Sequence, residues 1–69
     1  MVIRMNEFLT NEIRLLLVDD DPLVRRSLRM LFELHDISVI GEATNGEEAI
    51  ESIAKLKPTM VLMLSLIHI

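Results

Sequence analysis

Cysteine, tryptophan and tyrosine are absent from this 69-residue sequence, and its aromatic residues are Phe8 and Phe32. Without cysteine the chain can form neither disulfides nor thiolate metal sites, and a cytoplasmic setting is the default expectation. No apolar run reaches the roughly 18 residues of a membrane span. Residues 1–12 also lack the apolar core of a signal peptide, so the sequence predicts no membrane association.

Positive charge is scarce as well, because seven Lys and Arg face eleven Asp and Glu, for a net charge of −4. A nucleic-acid interface needs a clustered basic surface, so we expect this segment to bind no nucleic acid. Arg25, Arg26 and Arg29 do cluster, and we interpret them as a solvated helix face. What the sequence has in quantity is aliphatic residues. That composition is typical of a globular fold with parallel strands packed under helices.

The hydrophobic pattern predicts alternating strands and helices. Asp21 followed by Pro22 is a helix start, and Asn45 begins a second helix that Pro58 ends. The predicted elements are a strand at 13–18, a helix at 22–34, a strand at 37–42, a helix at 47–56 and a strand at 59–64. Right-handed crossovers between parallel strands make this a doubly wound α/β unit with the first strand in the centre. We expect residues 1–12 to be a loose leader.

Two acidic residues stand at the point where such a sheet binds ligands, the carboxyl end of its central strand. Asp19 and Asp20 repel each other there, which is tolerable if a cation lies between them. Hard oxygen ligands of this kind suit Mg²⁺. The alternative is a solvated acidic loop without a ligand. Asp21 differs from Asp19 and Asp20, because its role as the N-cap of the following helix accounts for an aspartate at that position.

Three segments resemble one protein family. They are LLLVDDDPLVR at 15–25, GEATNGEEA at 41–49 and KPTMVLM at 57–63. In that order they resemble the N-terminal half of the receiver domain of two-component response regulators, most closely the subfamily with a C-terminal helix-turn-helix output domain. The resemblance implies a partial receiver at 13–63 with a truncated flavodoxin-like (CheY-like) sheet, β-α-β-α-β with strand order 2-1-3.

The resemblance also implies a mechanism for the parent protein. A sensor histidine kinase supplies a phosphoryl group, and an aspartate after the third strand accepts it beside Mg²⁺ held by Asp19 and Asp20. Here Leu64 occupies the expected acceptor position. Leucine has no nucleophilic oxygen, so we expect this chain to be no enzyme and no phosphoryl acceptor, with weak or absent Mg²⁺ binding. The parent is expected to regulate transcription, with homodimerisation possible.

The last six residues, 64–69, depart from the receiver pattern abruptly. They resemble the translation of a transposase adapter end used in sequencing libraries, and we interpret them as a non-native tail. The alternative is a natural, degenerate receiver that lost its aspartate. Reading the locus from independent DNA distinguishes the two, because native codons for 64–69 support the second.

Two other functions are weighed against a receiver fragment. A haloacid-dehalogenase-type phosphatase would use Asp19 as nucleophile and Asp21 as acid/base, although Pro22 and Leu23 depart from that motif. A phosphorylation-independent interaction module would bind a partner through its helices. For the isolated chain we predict weakly cooperative folding or insolubility, because the third strand would present an open apolar edge and the first helix would lack the helix that packs beside it in the family.

Overall fold

The computed structural model describes residues 1–5 and 12–64, which form a layered α/β fold. In chain order the elements are β1 (Val2–Arg4), β2 (Arg14–Val18), α1 (Pro22–Leu34), β3 (Ser38–Ala43), α2 (Gly46–Leu56) and β4 (Met60–Met63). The predicted elements are all present, and each observed boundary lies within one residue of its prediction. The helix at 22–34 matches in full.

The sheet has the order β1-β4-β2-β3. β2 pairs in parallel with β3 on one side and with β4 on the other. These three strands therefore have the order 2-1-3 that the sequence predicted, with the first of them in the centre. The predicted α/β fold class, a partial CheY-like parallel sheet, is confirmed.

The fourth strand was not predicted. Residues 1–12 were expected to be loose, but β1 pairs antiparallel with β4, with Ile3 opposite Val61. Ile3 and Met5 pack against the buried core, and the N–H of Met5 donates to the carbonyl of Thr59 at 2.7 Å. The β4 edge is therefore covered, and the expectation of an open apolar edge there is wrong. Residues 6–11 of the predicted leader lie outside the described residues.

The core lies on both faces of β2. Leu16 and Val18 share one face with Ala49 of α2 and with Val61. On the opposite face, Leu15 and Phe32 of α1 line an apolar groove. This alternation is what a strand buried on both faces produces.

The two helices differ in how well they are covered. Asn45 caps α2, since its side chain accepts a hydrogen bond from the N–H of Glu48 at 2.9 Å, as the sequence predicted. On α1, by contrast, no residue is fully buried. Three of its large apolar side chains are exposed, namely Leu23, Leu31 and Leu34. The sheet covers α1 along one side, and within the described residues no further element lies beside it.

Candidate functional site

The candidate site begins where the central strand ends. Asp19 follows β2 directly and is 6% exposed, the most buried charged residue of the described chain. Its N–H donates to the carbonyl of Ala43 at 3.1 Å, which continues the parallel ladder one residue beyond β2. Asp20, the next residue, is exposed. The two acidic residues singled out in the sequence thus follow each other at the carboxyl end of the central strand, one buried and one exposed.

A short hydrogen-bonded turn leads from Asp19 into α1. The N–H of Asp21 donates to the Oδ1 atom of Asp19 at 2.9 Å. The Oδ1 atom of Asp21 accepts in turn from the N–H of Leu23 at 2.9 Å, and Pro22 occupies the first helical turn. Asp21 is therefore the N-cap of α1, as predicted. Capping explains Asp21 without the acid/base role that the phosphatase alternative assigned to it.

Leu64 lies beside the same turn. Its N–H donates to the carbonyl of Val18 at 3.1 Å, directly after the parallel pair of Val18 with Met63. The residue is 40% exposed. Position 64 therefore lies at the carboxyl end of β4, next to the acidic pair. Residues 65–69 of the predicted tail, His68 among them, lie outside the described residues.

The chemistry of the site at the carboxyl end of β2 follows from the side chains that could act as metal ligands there. The carboxylate of Asp19 accepts the hydrogen bond from Asp21 and, within residues 1–5 and 12–64, forms no ion pair. Oxygen ligands that are free of cationic side chains fit a hard divalent cation such as Mg²⁺. In the same part of the chain, however, no three acidic or histidine side chains come together. The donor set thus fits part of a cation site, with two carboxylates and aliphatic carbon at position 64.

Sequence reasoning missed the role of the α1 arginines. Arg25 was interpreted as part of a solvated face, but its side chain is 15% exposed and its Nε donates to Glu42 at 3.0 Å. Its Nη1 also donates to the backbone carbonyl of Asp19. The Nη1 atom of Arg29 forms an ion pair with Glu42 at 3.3 Å, and its Nη2 donates to the carbonyl of Val39 at 3.1 Å. The interpretation is wrong for Arg25, whereas the Arg29 side chain is 38% exposed and is both partly solvated and paired. Their spacing of four along α1 was the available signal, but the acidic partner lies on another element.

These features define a class of protein: α/β domains with a mostly parallel sheet and an acidic pair at the carboxyl end of the central strand. The chain matches the family model described as a response regulator receiver domain over residues 15–64. It belongs to the receiver domain family of response regulators. Within the described residues, no helix has both the length and the apolar character needed to cross a membrane.

Curated relatives carry the same segment within longer proteins. The chain is 52% identical over 52 residues to a protein-glutamate methylesterase/protein-glutamine glutaminase of Methanococcoides burtonii, covering 74% of this chain and 15% of that protein. It is 46% identical over 52 residues to response regulator GacA of Pseudomonas viridiflava, covering 74% and 24%. It is 42% identical over 50 residues to the nitrate/nitrite response regulator protein NarL of Escherichia coli, covering 71% and 23%. The chain thus spans less than a quarter of the length of each of these relatives.

Proposed function

We propose that this chain is the cation-binding half of a receiver domain and that it does not accept a phosphoryl group. In a complete receiver of this kind, a sensor histidine kinase is the phosphoryl donor. The chain keeps Asp19 and Asp20 as ligands for a divalent cation but places Leu64 where the acceptor carboxylate is expected. One observation carries the proposal: the Leu64 N–H bonds the Val18 carbonyl, so position 64 lies directly beside the acidic pair.

The residues have distinct roles in this proposal. Asp19 is held nearly buried by its backbone bond to Ala43 and by the turn to Asp21, so its carboxylate has little freedom. Asp20 is exposed and can share a cation with it through water or directly. When bound there, Mg²⁺ would neutralise the negative charge on phosphoryl oxygens. Leu64 offers a methyl-bearing side chain, which can neither attack phosphorus nor ligate a metal.

The proposal extends to the parent protein. A relative named as a transcriptional or nitrate/nitrite response regulator supports signal-dependent control of transcription. A relative named as a methylesterase supports an enzymatic output instead. We favour the transcriptional output because the whole segment at 13–63 resembles that subfamily, although the methylesterase relative is the more identical one, at 52% against 46% for GacA. In either case the output would belong to residues beyond this chain.

A titration with Mn²⁺ tests the cation role, with ¹H–¹⁵N spectra as the readout. We expect paramagnetic broadening to begin at the amides of residues 19–21 and Mg²⁺ to reverse it. Asp19→Asn and Asp20→Asn each remove one ligand charge and should weaken Mn²⁺ binding roughly tenfold, which corresponds to about 1.4 kcal/mol.

The matched control is Asp21→Asn, which removes the same charge one residue further on but keeps an N-cap that is as good. We expect it to change the Mn²⁺ dissociation constant less than about twofold, since the Asp21 carboxylate caps α1 by accepting from the Leu23 N–H and is not a proposed ligand. If all three variants weaken binding equally, the acidic run attracts cations without a defined site. The cation role of Asp19 and Asp20 is then wrong.

An interaction module is a second candidate, and one observation favours it. Leu34 is 80% exposed and lies on the same helix as the exposed Leu23 and Leu31. Exposed apolar side chains on one helix can mediate association with other proteins or with further copies of the same chain. This candidate does not depend on a cation, so it stands if the titration shows no binding.

A further inference from the structure

Arg25 connects three parts of the fold at the candidate site. It lies one turn into α1, and its N–H begins the helix by donating to the carbonyl of Asp21 at 3.1 Å. Its guanidinium reaches the backbone carbonyl of Asp19 and the carboxylate of Glu42 on β3. The turn that carries the acidic pair is therefore tied to both the helix and the neighbouring strand by one side chain.

The hydrogen bonds of Arg25 leave the carboxylate of Asp19 available to a cation. Arg25 bonds the carbonyl oxygen of Asp19 and, within the described residues, does not pair with its carboxylate. The positive charge of Arg25 is matched instead by Glu42, whose second oxygen pairs with Arg29 at 3.3 Å. The guanidinium thus fixes the Asp19 backbone without competing for the carboxylate that a cation needs.

We infer that Arg25 is a positioning residue for divalent-cation binding at Asp19 and Asp20, with Glu42 as its orienting partner; this rests on the proposed function. The planar fork of an arginine can bond a carbonyl and a carboxylate at once, which a lysine cannot do in the same geometry. Holding the Asp19 backbone reduces the conformational freedom that cation binding would otherwise remove.

Whether Arg25→Ala weakens or strengthens cation binding distinguishes a positioning role of Arg25 from a purely electrostatic one. Arg25 is a cation, so if it acted on the site by charge alone, Arg25→Ala would strengthen the binding of another cation. If Arg25 positions Asp19, the same substitution weakens that binding. The two explanations therefore predict changes of opposite sign in one dissociation constant.

The test is a Mn²⁺ titration of the full chain, run for the wild type and for Arg25→Ala, Arg25→Lys and Arg26→Ala. Arg26 is the matched control, because it is exposed and adjacent and forms no ion pair within the described part of the chain. We expect at least a threefold rise in the dissociation constant for both Arg25 variants. Arg26→Ala should leave it unchanged or lower it slightly.

A second readout reports the turn itself. Hydrogen exchange of the Asp21 amide, which bonds the Asp19 carboxylate, should accelerate in Arg25→Ala while the core amides of β2 keep their wild-type rates. If core amides accelerate equally, Arg25 is a general stabilising residue and the inference is overturned. Arg25→Lys, which keeps the charge, should show the same faster exchange at Asp21.

The outcomes separate this inference from the proposal on which it rests. If the wild type binds Mn²⁺ at residues 19–21 but Arg25→Ala binds it equally or more tightly, the positioning role is wrong and the cation site stands. If the wild type shows no binding at these residues, both the proposed cation site and the positioning role are wrong.

Discussion

Replacing Leu64 with aspartate is expected to raise the affinity of the chain for Mg²⁺ at least tenfold. The N–H of Leu64 bonds the carbonyl of Val18, so the new carboxylate would lie at the same edge as Asp19 and Asp20. A unit charge pair about 4 Å apart contributes on the order of 4 kcal/mol near a protein surface. Desolvation offsets part of this, and tenfold tighter binding requires only about 1.4 kcal/mol.

Leu64→Asn is the matched control for this gain. Its side chain has nearly the same shape as aspartate and offers a carbonyl oxygen but no charge. We therefore expect a smaller gain from it, measured by calorimetric or Mn²⁺-competition titration. In EDTA, Leu64→Asp should also melt at a lower temperature than the wild type, since a third carboxylate repels the pair, and Mg²⁺ should reverse that loss. Equal affinities for Leu64→Asp and Leu64→Asn would show that position 64 does not face the cation.

The second large effect is expected in the core. Leu16 is fully buried on the face of β2 that packs against Ala49 and Val61. Truncating a buried leucine to alanine costs about 2–5 kcal/mol, and a core of this size rarely supplies more than about 3–5 kcal/mol in total. Leu16→Ala should therefore leave most of the chain unfolded at 25 °C.

Leu34→Ala serves as the control for the core prediction, because it makes the same substitution at a side chain that is 80% exposed. Its free energy of unfolding should stay within about 0.5 kcal/mol of the wild type. Urea unfolding followed by circular dichroism measures both variants. Similar losses for the two would mean that the described core is not what stabilises the chain. A sharp wild-type transition for a soluble monomer would contradict the weak cooperativity predicted from the sequence.

Local sequence signals were sufficient for much of the fold. Asp21 and Pro22 mark the start of α1 because capping and the missing N–H of proline act within a few residues. The apolar run at 15–18 ends at Asp19, which located both the central strand and the acidic pair. These signals depend on the nature of adjacent residues, so they can be read without knowing the tertiary structure.

The features that the sequence did not reveal depend on distant partners. A strand of three residues has too short a pattern to be recognised, and β1 forms because β4 offers an unpaired edge nearly sixty residues away. Arg25 was misinterpreted for the same reason, since its partner Glu42 lies 17 residues away on β3. The exposure of Leu31 and Leu34 likewise depends on which elements lie beside α1.

The most direct test of the account is the intact mass of the 69-residue chain after incubation with Mg²⁺ and acetyl phosphate, a small phosphoryl donor. We expect no phosphoryl adduct, because two carboxylates can hold a cation but position 64 supplies no oxygen to attack phosphorus. A hydroxylamine-sensitive phosphoryl adduct on any carboxylate of the wild-type chain would contradict it.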